Sequence, residues 1–256
     1  MLNSISLFVG TGQCNANCAH CAGVPLRKYA PKADGIIDSH LFYKTLFRAY
    51  EEGCRRLTLS SSGEPTLSPS AVTETLLLIL KSGWNFDPIS LYSNGIRIGE
   101  DERFARTLSL WESLGLTTIY ITVHNFDPVK NAKVYGIENY PSLELICSRI
   151  HRAGLKMRAN VVLGKGIIET ADEFADTVNK LLAIGTDYIS AWPIRNVDDD
   201  KPDLELMPKE ELDKIEEWTK NADDHRIRVL TSRDAYEKKE KLTLFPNGVL
   251  SNTWCN

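Results

Sequence analysis

The chain has 256 residues, of which 43% are hydrophobic and 25% charged, with 16 glycines and 11 prolines. These ordinary globular values exclude long disorder, a collagen-like repeat and a small disulfide scaffold. The net charge of −4 argues against a surface that coats nucleic acid. Apolar runs such as Leu76 to Leu80 fall far short of the roughly 20 residues of a membrane helix. Met1 to Gln13 carries no basic flank and no small-residue cleavage site, so the expected location is cytoplasmic.

Strand and helix signals alternate along the chain. Ser4 to Val9 reads as a strand, and Asp38 to Gly53 as an amphipathic helix with apolar Leu41, Phe42, Leu46 and Ala49. Arg56 to Ser60 is a strand and Ala71 to Ser82 a helix. Pro88 to Tyr92 is a strand broken by Asn94-Gly95. A helix is expected over Glu100 to Leu114, a β-branched strand over Thr117 to His124, and a helix over Pro141 to Ala153. Lys156 to Leu163 is the fifth strand. The next helix, Thr170 to Ile184, opens with a capping box of Thr170 and Glu173. Tyr188 to Ile194, Pro208 to Lys220 and Arg226 to Leu230 read as strand, helix and strand. The acidic stretch Asp198 to Asp203 reads as a solvated loop.

Glycines at 53, 83, 115, 154 and 185 close successive helices. Regular βα alternation implies a parallel sheet with right-handed crossovers. The expected fold is therefore α/β, a partial (β/α)6 TIM-like barrel. Lys241 to Leu244 and Val249 to Thr253, joined through Asn247-Gly248, predict a short C-terminal β-hairpin. The organisation expected is a core over residues 1–232 and a hairpin tail over 233–256.

Six cysteines stand out: Cys14, Cys18, Cys21, Cys54, Cys147 and Cys255. Three fall within eight residues, in the loop after the first strand, as C-x3-C-x2-C. Such clustering in a chain without an export signal suggests metal or redox chemistry rather than disulfides. Structural zinc wants four ligands, usually in repeated pairs, and no second cluster follows. Three cysteines on a four-iron cluster leave one iron open for a non-protein ligand. Cys54 and Cys147 read as small buried apolar residues.

This loop resembles the signature of the radical S-adenosylmethionine (radical SAM) superfamily, with His20 standing where that family usually has an aromatic residue. Ser62-Gly63-Glu64-Pro65 after the second strand is similar to the family's Gly-Gly-Glu-Pro turn, with Ser62 in place of the first glycine. Tyr92-Ser93-Asn94-Gly95 and the glycine-rich stretch from Gly164 to Thr170 are similar to further family stretches beside the cofactor. The resemblance covers roughly Ile5 to Ile194.

The resemblance implies a [4Fe–4S] cluster on Cys14, Cys18 and Cys21 and a SAM site on Ser62, Gly63, Glu64, Ser93, Asn94, Thr122, His124, Asn160 and Gly164. In it Glu64 and nearby carbonyls face the SAM ammonium, the polar residues of strands three to five reach the ribose, and the Gly164 loop meets the adenine. It implies reductive cleavage of SAM to a 5′-deoxyadenosyl radical, which takes a hydrogen atom from a small-molecule or peptide substrate. The electron would come from a donor such as flavodoxin or ferredoxin. Neither a membrane nor a nucleic acid is an expected partner. Candidate substrate contacts are Arg27, Tyr29, Arg158, Trp192 and Arg195, since an arginine pair suits a carboxylate or phosphate. A second reading within the family is a glycyl-radical-enzyme activase. A reading of another class is a non-catalytic iron–sulfur or zinc protein. Because Cys255 stands alone, no auxiliary cluster is expected, and the hairpin is expected to cover the open side of the barrel.

Overall fold

The computed structural model describes residues 2–21, 23–24, 39–195, 201–230, 241–244 and 250–251. The expectations for Arg27, Tyr29, Cys255, the Asn247-Gly248 turn and the first half of the Asp198 to Asp203 stretch lie outside these residues.

One sheet organises the chain. Its strands are β1 (Ser4–Phe8), β2 (Arg56–Ser60), β3 (Ile89–Ser93), β4 (Thr118–Val123), β5 (Lys156–Leu163), β6 (Tyr188–Pro193), β7 (Ile227–Val229), β8 (Lys241–Leu244) and β9 (Leu250–Ser251). The order is β7-β6-β5-β4-β3-β2-β1-β8-β9. Every neighbouring pair is parallel except β8 and β9. The helices are α1 (Ser39–Glu51), α2 (Pro69–Ser82), α3 (Ile96–Glu100), α4 (Ala105–Ser113), α5 (Pro128–Tyr135), α6 (Leu143–Arg152), α7 (Ala171–Ala183) and α8 (Lys209–Ala222). This is the expected α/β arrangement, with a mostly parallel sheet and an antiparallel C-terminal pair.

The two faces of the sheet differ because side chains alternate along each strand. Ile5, Leu7, Leu57, Leu59, Leu91, Ile119, Ile121, Met157 and Val161 are almost wholly buried and form the core with the helices. The alternate positions are mostly polar: Ser6, Thr58, Ser90, Tyr92, Tyr120, Thr122, Arg158, Asn160 and Ser190. We call this the inner face.

Three departures from the sequence reading bear on the site. The single helix expected over Glu100 to Leu114 is broken. α3 starts directly after Gly95, and a 3₁₀ turn at Glu102–Phe104 intervenes, with the Asp101 side chain accepting from Arg103 N. α5 was not foreseen. Its Asp127 cap accepts from Val129 N and Lys130 N, Pro128 opens it, and left-handed Gly136 closes it. Finally, β8 pairs in parallel with β1 rather than lying across an open side. β1 would otherwise be an edge with unpaired backbone groups, and β8 satisfies them.

Candidate active site

The cysteine loop lies at the C-terminal end of β1, where the βα loops of barrel proteins gather functional groups. Cys14, Cys18 and Cys21 are each half-buried. Burial pushes the Cys18 thiol up to about 12, with further pressure from Cys21 and then Cys14. The three sulfurs therefore share one electrostatic neighbourhood. Among the described residues no three His, Cys, Asp or Glu side chains converge as ligands of a single metal ion do.

The loop is held from two sides. Asn17 N donates to the Tyr135 carbonyl at 2.8 Å, which ties it to the end of α5. Opposite, Glu64 N donates to the Gln13 carbonyl at 2.7 Å. At Gly63 the two backbones touch. A Cβ there would stand inside the van der Waals envelope of Gly12 and Gln13, so only glycine fits. A Cβ on Gly23 would come within 2.5 Å of the Ser62 carbonyl oxygen. The Ser62–Glu64 turn is thus bracketed by both ends of the cysteine loop.

The Glu64 side chain corrects the sequence reading. Its carboxylate does not face outward toward an ammonium; it is 3% exposed. It accepts from Thr66 N at 3.0 Å, Thr66 Oγ1 at 2.7 Å, Ser93 Oγ at 2.8 Å and Asn94 N at 2.6 Å. Burial pushes its carboxyl up from the usual range, and these donors pull the other way. Glu64 ties the β2 loop to the end of β3. Ser93, expected near a ribose, is also committed inward: besides donating to Glu64, its Oγ accepts from Gly95 N at 3.0 Å. On the same turn Gly63 N donates to Ser61 Oγ at 3.1 Å.

Asn94 lies beside the cysteine loop. Its Nδ2 donates to Asn15 Oδ1 at 2.7 Å and lies 4.0 Å from Cys14 Sγ. The β4–β5 register sets Thr122 beside Asn160 on the inner face. Asn160 is buried, and its Oδ1 has no hydrogen-bond partner. His124 is 2% exposed, and neither of its ring nitrogens has a partner. Its ring packs edge-on against His20 at 4.8 Å and Tyr135 at 4.5 Å. Burial, and secondarily His20, lower its pKa to about 3, so it is a neutral imidazole. Gly164 is fixed by Ile194, whose Cδ1 would lie 2.7 Å from a Cβ there, and Gly164 N donates to the Ile168 carbonyl. Trp192 and Arg195 lie at the C-terminal end of β6. Cys54 and Cys147 are buried, as expected of small apolar residues.

Two contributors escaped the sequence reading. Tyr135 donates through its hydroxyl to the Thr122 carbonyl at 2.7 Å, and Asn131 Oδ1 accepts from His124 N at 3.1 Å. Both lie on α5, whose Asp-Pro start and glycine stop were the available signal.

A half-buried C-x3-C-x2-C loop is thus seated on a Ser-Gly-Glu-Pro turn at the strand ends of a parallel sheet. Residues 8–181 match the family described as the radical SAM superfamily. The chain belongs to the radical SAM superfamily. That family works with a [4Fe–4S] cluster and SAM. GTP 3′,8-cyclase of Haemophilus influenzae is 26% identical over 162 residues, 61% of this chain and 44% of the cyclase. The Streptococcus suis protein SuiB, solved with its precursor peptide SuiA, superposes with a TM-score of 0.69 at 14% identity, over 99% of this chain and 60% of SuiB. HydG, a maturase of the [FeFe]-hydrogenase, gives a TM-score of 0.65 at 11% identity, over 94% of this chain and 56% of HydG. The chain therefore spans less than half of the cyclase and about three fifths of SuiB, and the structural likenesses speak for the fold.

Proposed function

We propose that this radical SAM protein holds its cluster on Cys14, Cys18 and Cys21 and seats SAM between the Ser62–Gly63 backbone, Asn94, Thr122 and Asn160. The observation that carries this reading is the seating of the cysteine loop on the Ser62–Glu64 turn through Gly63 and the Glu64 N–H. It sets the cysteine-bearing loop and the Ser62–Glu64 turn side by side.

When bound, the cluster and SAM together supply one-electron cleavage of the sulfonium and a 5′-deoxyadenosyl radical that takes a hydrogen atom from a substrate. The chain's own residues do the positioning. Glu64 fixes the β2 loop and the β3 end relative to each other, so the Ser62–Gly63 turn is held in place before any ligand arrives. Asn160 Oδ1 is a buried acceptor suited to a ribose hydroxyl or an amine, because an unmatched buried acceptor is costly until it is paired. Neutral His124 closes the wall beside His20 without adding charge. Gly164 is a positioning residue of the β5–α7 loop rather than a donor, since its N–H is already used.

The substrate in this reading is a small molecule or a peptide. The similarity to a GTP cyclase supports the first arm, and the likeness to SuiB, solved with a precursor peptide, supports the second. Flavodoxin or ferredoxin is the proposed electron donor. Among the described residues no helix is long and apolar enough to cross a membrane. Anaerobic reconstitution with iron and sulfide, followed by SAM and dithionite, tests the reading. It predicts 5′-deoxyadenosine from the wild-type chain; a reconstituted chain that leaves SAM intact contradicts it.

A further inference from the structure

The inner face of the sheet is lopsided in charge. None of the nine strands contains an aspartate or glutamate. The positions alternating with the buried core nonetheless include Arg56, Lys156, Arg158, Arg228 and Lys241. In a chain of net charge −4, this face carries an excess of cation. The innermost is Arg158, which is half-buried on β5.

Arg158 has no carboxylate partner among the described residues. Its guanidinium lies over the Tyr120 ring, 4.4 Å from the centroid, and its Nε is buried without an acceptor. Tyr120 is itself fixed: its hydroxyl accepts from Ser90 Oγ at 3.0 Å, and its ring meets Tyr92 edge-on at 5.1 Å. Stacking holds the guanidinium plane and leaves its N–H edges for a second, in-plane partner. Lys156, on the same face, lies over Tyr188 at 5.9 Å and has no carboxylate within salt-bridge distance among the described residues. A half-buried cation with an unmatched donor is costly unless an anion completes it.

We propose that Arg158, supported by Lys156, is the receptor for an oxyanion — carboxylate or phosphate — carried by the substrate. This rests on the radical SAM reading for the word substrate, but the anion site itself does not. The position suits the chemistry. Asn160 lies two residues further along β5, about 7 Å nearer the cysteine loop. An anion on Arg158 sets the remainder of its molecule against the Asn94–Thr122–Asn160 row, the place proposed for SAM. In this reading the bound group is the substrate's own, because SAM would be held beside the cysteine loop, further along the strands than Arg158.

The test is calorimetric titration of the full chain, without reconstitution, with inorganic pyrophosphate and separately with succinate. Wild type is compared with Arg158→Gln, Arg158→Lys and Lys156→Gln. One of the two probes should bind, more weakly as salt is added. Which of them binds tells phosphate from carboxylate. Arg158→Gln should weaken binding roughly tenfold or more, as expected for losing a charge-assisted contact. Lys156→Gln should weaken it less, and Arg158→Lys should retain part of it. If Arg158→Gln does not fold, the Lys and Lys156→Gln titrations decide, and unchanged affinity in both overturns the proposal. So does a wild-type chain that binds neither probe, or Arg158→Gln protein that binds as wild type does. A parallel titration of reconstituted protein with SAM must show the same affinity for wild type and Arg158→Gln. A matching loss there overturns the assignment to substrate and gives Arg158 to SAM. A chain that binds the probe through Arg158 yet never cleaves SAM refutes the radical reading and leaves the anion site standing.

Discussion

The β1–β3 ends and the β4–β5 strands build opposite sides of the same site in opposite ways. On the first side Glu64, Ser93 and Asn94 are spent on neighbouring protein groups, although Thr11 Oγ1 is buried without a partner among the described residues. Glu64 takes four donors, Ser93 bridges Glu64 and Gly95, and Asn94 reaches Asn15. On the second side His124, Arg158 and Asn160 carry buried polar atoms without a partner among the described residues. Satisfied buried networks rigidify, while unmatched buried groups are costly until a ligand pairs them. The first side is therefore a frame that fixes the cysteine loop, and the second a surface that awaits its partner. Substitutions on the two sides should fail differently: in folding and cluster retention on one, in ligand affinity on the other.

The largest effect belongs to the thiols. Cys14→Ala, Cys18→Ala and Cys21→Ala should each abolish SAM cleavage, because two thiolates hold a four-iron cluster poorly. Cys147→Ser, at a buried position on α6 whose sulfur lies 3.4 Å from the Ile184 carbonyl, should keep full turnover; product analysis by chromatography checks both.

Glu64→Ala comes next and sharpens the contrast. The sequence suggested a lost contact to SAM, but the structure makes Glu64 a fastener. Removing it strands buried donors on Thr66, Ser93 and Asn94, at about 1–3 kcal/mol for each one left without an acceptor. Denaturant unfolding should show a loss of at least about 3 kcal/mol, with reduced iron uptake. Wild-type stability together with weakened SAM binding would return Glu64 to the role of a direct contact.

On the other side, Asn160→Ala should leave stability and iron content nearly unchanged. It should weaken SAM binding by roughly tenfold, about the worth of one good hydrogen bond in a dry site. Titration of the reduced cluster's spin-resonance signal with SAM measures this, and equal loss of iron would move Asn160 to the frame.

The smallest effect is a pH slope. His124 is neutral in the fold with its pKa lowered to about 3, whereas the unfolded residue titrates near 6.5. As pH falls below about 6.5 the unfolded chain takes a proton that the folded one refuses, so this contribution to stability is lost toward pH 3. Between pH 7 and 5.5 the loss should be about 1 kcal/mol in the chain without cluster, and His124→Asn should flatten it.

How much of this was legible follows the same division. The strands were visible because their core positions alternate, and β2 and β5 match the expected bounds residue for residue. The cysteine loop and the Ser62–Pro65 turn were visible because their chemistry lies in contiguous residues. The direction of Glu64 was not, since its donors Ser93 and Asn94 come from 29 and 30 residues away. Ser93 and Asn94 are sequence neighbours on opposite faces, and only the position of the helices shows which face is inner. The parallel seat of β8 on β1 joins the two ends of the described chain, a pairing that local pattern does not carry. α5 was legible and overlooked, because Asp127-Pro128 and Gly136 bracket too short a run for a helical period to show.

The most direct test of the central claim is the iron and sulfide content of anaerobically reconstituted protein, wild type against Cys18→Ala. The account predicts about four irons and four sulfides per wild-type chain and a large loss of both in the variant. Equal iron in the two proteins, or about eight irons in the wild type, would contradict it.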